Sequence, residues 1–120
     1  MRFVSLALAG ACVALSFSPA AAQDGALSAL GRRAALLNIA DQLCGGFYEV
    51  DTAAAERRAF RLSTEGVKRY GADRFRSALS DGTAALLAEV RDGGAATWCP
   101  RYRDSLRRAG VSDVIGGPAL

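Results

Sequence analysis

Few residues in this chain are of a type that does chemistry, and the first to weigh are Cys44 and Cys99. A thiol pair works as a redox couple when its sulfurs sit close in sequence, as in C-x-x-C, with one thiol exposed at a lowered pKa. Here 54 residues lie between the two, and each falls on the apolar side of an expected helix. In an oxidising compartment such a pair reads as one structural disulfide. Closing a loop of about 56 residues contributes roughly 4 kcal/mol in the chain-entropy account. That is comparable with the whole stability of a domain this small.

The chain has no histidine. Ser-His-Asp and Cys-His nucleophile sites, histidine metal centres and haem attachment through C-x-x-C-H are thereby excluded. Two thiolates without histidine make half a zinc site, so no metal ligand set is expected. There is no G-x-x-x-x-G-K phosphate loop, and Asp81-Gly82 and Asp92-Gly93 are isolated dipeptides without the ligand series of a calcium loop. No cofactor is expected.

Glu49 and Asp51, two residues apart beside Phe47 and Tyr48, have the composition of an acid/base pair. The competing reading is a turn between helices: Gly45-Gly46 stops one helix, Phe47 and Tyr48 pack, and Asp51 caps the next. The turn is favoured, because a small helical domain rarely offers the cleft that carboxylate catalysis needs. Tyr48, Trp98 and Tyr102 are read in the same way, as core aromatics against the disulfide and not as a ligand cluster.

Charge gives the sharper signal. Residues 57–76 hold seven basic side chains against Glu65 and Asp73, a net +5 in a chain whose total is +3. Five of them, Arg57, Arg58, Arg61, Lys68 and Arg69, share an arc of about 120° on a helix turning 100° per residue, opposite the expected apolar side. Such a face suits an acidic protein, an anionic lipid surface or another polyanion. It also serves simply as a solvated helix face. Nucleic acid is not expected, since no aromatic residues interleave with the basic ones.

These groups have to be positioned by helices. Ala, Leu, Arg and Glu dominate, β-branched residues never alternate over a strand's length, and glycines at 45–46, 71, 93–94 and 116–117 divide the chain into helix-sized stretches. The expectation is an all-α bundle of about four helices closed by Cys44–Cys99. The helices span about 26–44, 53–70, 73–92 and 97–109, with Asp51 or Thr52 capping the second and Thr97 the fourth. Pro100 then sits in a first turn, where its missing N–H costs little. The apolar side of the second helix is broad and weak, made of Ala55, Ala59, Phe60, Leu62, Val67 and Tyr70. In the third, Phe75, Leu79, Gly82, Leu86 and Val90 form a stripe in which Gly82 permits a close crossing. The tail beyond about residue 110 docks as a turn or frays.

The N-terminus reads as an address. Arg2, an apolar run over residues 3–17, Ser18-Pro19 and then Ala20-Ala21-Ala22 follow the layout of a secretory signal cleaved after Ala22. The run is shorter than the roughly 20 residues needed to span hydrocarbon, so no stable membrane insertion is expected after cleavage. Removing residues 1–22 leaves a single domain over 23–120 whose hydrophobic fraction falls from 51% to about 46%, an ordinary globular value. Cys12 leaves with the signal, which turns three cysteines into one pair.

Together, the signal, Leu43-Cys44-Gly45 at a helix end, and Trp98-Cys99 followed by Tyr102-Arg103 and Leu106 resemble small two-cysteine exported helical proteins of Gram-negative bacteria. The resemblance implies a periplasmic or secreted location. In architecture alone the chain is similar to periplasmic acid-stress chaperones of the HdeA type; no motif beyond the cysteine layout is shared, so no functional residue carries over. Three function classes follow. The first is a non-catalytic binding or accessory module that meets an unidentified protein or anionic partner through the basic face. The second is a stress holdase, whose acid switch must lie well below pH 5 in a chain without histidine. The third is a small enzyme or enzyme inhibitor using Glu49 and Asp51.

Overall fold

A computed structural model describes the backbone of residues 19–108 and 115–119 and the side chains of 24–104 and 106. Four helices pack together: α1 (Pro19–Leu43), α2 (Thr52–Tyr70), α3 (Ala72–Gly93) and α4 (Ala95–Arg108). Two short strands, β1 (Tyr48–Val50) and β2 (Ile115–Ala119), add a ribbon. The all-α class, the helix number and the Cys44–Cys99 bridge are as the sequence implied. Residues 1–18, on which the expected signal rests, lie outside the described residues, and the cleavage position after Ala22 falls within α1.

α1 is the central helix. Leu27, Ala34, Ala35, Leu37, Ile39 and Ala40 are all buried, on more than one side of the helix. A helix apolar around much of its circumference has to be covered from several directions, and α2, α3 and the end of α4 do so. Leu43, at the end of the helix, is exposed.

The crossing of α1 with α3 depends on small residues. A Cβ on Gly31 would lie 2.6 Å from both the carbonyl carbon and oxygen of Ala78, and one on Gly82 would lie 2.9 Å from Cα of Arg32. The two backbones therefore approach where neither carries a side chain. Gly82 had been assigned this role from its place in the α3 stripe; Gly31 had not.

Local signals set most boundaries. Asp51 accepts a hydrogen bond from the Ala54 N–H at 3.0 Å, capping α2. Gly71, at φ 91°, separates α2 from α3 and donates its N–H to the Val67 carbonyl at 3.0 Å. Gly94, at φ 78°, does the same between α3 and α4. Only glycine adopts such angles without strain.

Three expectations are corrected. Gly45-Gly46 supply no left-handed stop, since neither has positive φ; the turn closes instead on the Cys44 carbonyl, which accepts from Phe47 and Tyr48 N–H at 2.9 and 3.2 Å. Thr97 does not cap α4, which begins at Ala95 with Gly94's carbonyl accepting from Thr97 and Trp98. Pro100 consequently lies inside the helix, where it has no N–H to offer the Ala96 carbonyl. Of the two courses expected for the tail, docking is the one seen over residues 115–119, as a strand paired antiparallel with β1, Val50 opposite Ile115 and Glu49 opposite Gly116.

Candidate functional site

The disulfide joins the turn after α1 to the second turn of α4, with the two Cα atoms 5.5 Å apart, an ordinary bridge separation. Both sulfur-bearing residues are fully buried beside Tyr48, Trp98 and Leu106. A bridge walled off in this way is a staple and not a reagent.

Glu49 and Asp51 do not converge on a common point. Glu49 is exposed on β1, and Asp51 is occupied by the α2 cap. Next to that cap, Thr52 donates its hydroxyl to the Asp41 carboxylate at 2.8 Å, tying α2 back to α1.

The basic block divides between two helices. On α3, Arg74 pairs with Asp24 of α1 at 2.7 Å, and Arg76 pairs with Asp73 at 3.7 Å. On α2, Arg57, Arg61, Lys68 and Arg69 are exposed and Arg58 is half-buried. Arg69 lies 3.6 Å from Glu65. No ion pair to Arg57, Arg61 or Lys68 occurs among the described residues.

What lies beside this strip differs from expectation. Phe60 and Val67 had been placed on the buried side of α2, yet they are 73% and 44% exposed. Ala54, Ala55, Ala59 and Gly66 are its buried residues, with Leu62 packed partly buried against the core beside them. At Gly66 there is no room for a side chain, since a Cβ there would meet the ring of Phe75 at 2.6 Å from Cε2. Small residues thus took the buried positions, and the large apolar pair was left outside, adjoining the cations. Phe60, Ser63, Thr64, Val67 and Lys68 line a shallow outer depression.

Between α1 and α2, on the other flank of the same cationic strip, the surface opens into a well of about 190 Å³. Leu36, Leu37, Leu62 and Leu106 form its apolar wall. Its charged lining residues are all arginines: Arg33 from α1, Arg58 and Arg61 from α2. Among the described residues the well combines an apolar interior with a cationic rim, an arrangement suited to a ligand with one apolar and one anionic end.

A polar cluster that the sequence did not reveal sits where α1, α3 and α4 meet. Glu89 accepts from the Tyr102 hydroxyl at 2.5 Å, from the Trp98 indole N–H at 3.3 Å and from Arg32 Nη2 at 3.1 Å. Arg32 also donates to the Tyr102 oxygen at 3.2 Å. The Tyr102 hydrogen bond, with help from Arg32 and Trp98, holds the Glu89 carboxyl below its ordinary pKa despite partial desolvation. Burial and the adjoining carboxylate push the Tyr102 phenol up. The Trp98 and Tyr102 rings stack tilted, 4.5 Å apart. Every charge in this cluster is satisfied internally, which marks it as a joint between helices.

Among the described residues no three Cys, Asp or Glu side chains are grouped to hold a metal ion, and no helix is long and apolar enough to cross a membrane. No protein-family model, curated protein or solved structure matches this chain.

Proposed function

We propose that this chain is an exported, non-catalytic binding module that meets an anionic partner with the outer face of α2. The carrying observation is the juxtaposition of Arg57, Arg61 and Lys68, exposed and outside any ion pair among the described residues, with the exposed Phe60 and Val67. Unpaired cations supply long-range attraction, and exposed apolar groups beside them supply contact once the partner arrives. Export is supported by the N-terminal apolar run ending in Ala20-Ala21-Ala22 and is compatible with the buried disulfide.

The test is charge reversal at Arg57, Arg61 and Lys68 together, each to Glu. All three are surface positions, so the helical signal and thermal midpoint should stay close to those of the parent chain. Crosslinking in intact cells, followed by recovery of this chain from the exported fraction, should yield an acidic partner with the parent and lose it with the variant. Recovery of the same partner by both would end the reading.

A further inference from the structure

We infer that the leucine-lined well between α1 and α2 binds a single-chain acyl carboxylate, with its alkyl tail in the well and its head group held by Arg33 and Arg61. The inference deepens the anionic-partner reading and rests on it, because Arg61 belongs to both sites.

Three features of the well select this chemistry. Its wall is Leu36, Leu37, Leu62 and Leu106, so a tail inside it leaves no polar group of its own unpaired. Among the described lining residues the charged groups are all cationic, with no carboxylate to repel an anionic head. Arg33 and Arg61 come from different helices and form no ion pair among the described residues, so both guanidinium forks are available to one carboxylate. Arg58 is not needed for the argument.

The walls also disfavour a peptide in extended form. The well is bounded by helices, whose backbone N–H and C=O groups are already paired along their own axes. A peptide main chain laid across them would find no strand edge to pair with. A fatty acid carries its only polar group at one end, where the arginines are. At about 190 Å³ the well is below the roughly 300 Å³ of a drug-sized pocket, which suits one alkyl chain and excludes a two-chain lipid.

The experiment is calorimetric titration of the folded, oxidised protein with acetate, hexanoate, octanoate and decanoate below their micelle concentrations. Each methylene that enters the well should tighten binding about fourfold, with a plateau once the wall is covered and no measurable binding of acetate. Octanol, which keeps the tail and lacks the charge, should bind at least tenfold more weakly than octanoate. Arg33→Ala with Arg61→Ala should weaken octanoate at least tenfold. Leu36→Trp, which fills the well, should abolish binding; Leu62→Trp gives the same obstruction from α2 if the first variant does not fold.

A polyglutamate peptide titrated in parallel separates the two claims. If polyglutamate binds and Arg57→Glu with Lys68→Glu removes it, while decanoate shows no chain-length dependence, the acyl site falls and the basic-face reading stands. If neither ligand binds, both fall. Tighter binding of a short peptide ending in leucine than of decanoate would assign the well to a peptide terminus and overturn the acyl inference.

Discussion

The two ends of α1 are secured by opposite means. Through its first half the helix lies against α3 along a long interface, and the backbones come together because Gly31 and Gly82 carry no side chains there. Near its C-terminus it meets α4 over a short stretch, and there the hold comes from the Cys44–Cys99 bond and from large buried side chains, Tyr48, Trp98 and Leu106. A long interface stabilises through close packing summed over many atoms. A short one buries too little surface for that, so a covalent link takes over there, while the Glu89 carboxylate of α3 ties α4 to Arg32 beside the glycine crossing. α4 should then be the helix that depends on particular bonds, and the α1–α3 pair the one that depends on shape.

The largest test breaks the covalent end. Replacing Cys44 and Cys99 together by serine should cost about 4 kcal/mol in urea unfolding, the figure for a loop of this length. The loss should not be even. Amide hydrogen exchange should rise first across α4, while α1 and α3 keep their protection relative to the global value. A uniform rise across all four helices would mean that α4 is held by its packing and that the contrast is false.

The next test breaks the shape-dependent end. Gly31→Ala places a methyl 2.6 Å from the Ala78 carbonyl carbon and oxygen, backbone atoms that cannot swing aside. The expected loss is about 2 to 3 kcal/mol, the usual cost of overpacking. Gly25 lies in the same helix with nothing within 4 Å of an added Cβ. There the same change should stabilise only slightly, by about a few tenths of a kcal/mol, because in the exported chain this position lies in the first helical turn, where the helix-interior difference of roughly 1 kcal/mol is not reached. Opposite signs from one substitution, six residues apart, are what a backbone-on-backbone crossing requires; equal midpoints would deny the crossing.

How far the sequence reached follows a physical division. Several features decided locally were legible, namely the Asp51 cap, the glycine at 71 and the α3 stripe through Phe75 and Leu86. The Gly45-Gly46 stop and the Thr97 cap, equally local, were not. The disulfide was legible, since removing Cys12 with the expected signal leaves a single pair. Features decided by which helix neighbours which were not. Phe60 and Val67 look like core residues in the α2 sequence, but the buried positions of the helix are Ala54, Ala55, Ala59 and Gly66, and at Gly66 the Phe75 ring of α3 leaves no room for a side chain. The well was invisible because Arg33 and Leu106 reach it from helices far apart in the chain. The expected basic face of α2 has four exposed members, Arg57, Arg61, Lys68 and Arg69, with Arg58 half-buried, and it lies between the exposed Phe60 and Val67 on one flank and the well on the other.

Glu89 was missed for the same reason, and it supplies the finest test of the contrast. It lies 57 residues from Arg32 and 13 from Tyr102, and no local spacing connects the three. Its carboxyl is held below the ordinary range chiefly by the Tyr102 hydroxyl. A depressed carboxyl contributes stability that is complete above the unfolded value, about 4.3, and is lost as pH falls through the lower folded value. Tyr102 is shifted upward, so its share is complete below the ordinary tyrosine value, about 10, and is lost as pH rises through the higher folded one. Arg32 keeps its charge across that whole window. Glu89→Gln preserves the shape and removes the titration, so its stability should fall less steeply than the parent's as pH drops below 4. The effect should be smaller than either loss above, because the carboxylate is partly exposed and screened. Trp98 is the sole tryptophan and donates directly to Glu89, so its fluorescence reports the packing of α4 at this joint and beside the disulfide. It should change at a higher pH than the far-ultraviolet helix signal in the parent, and the two should coincide in the variant. If they already coincide in the parent, acid opens the whole bundle at once and Glu89 is not what holds α4 separately.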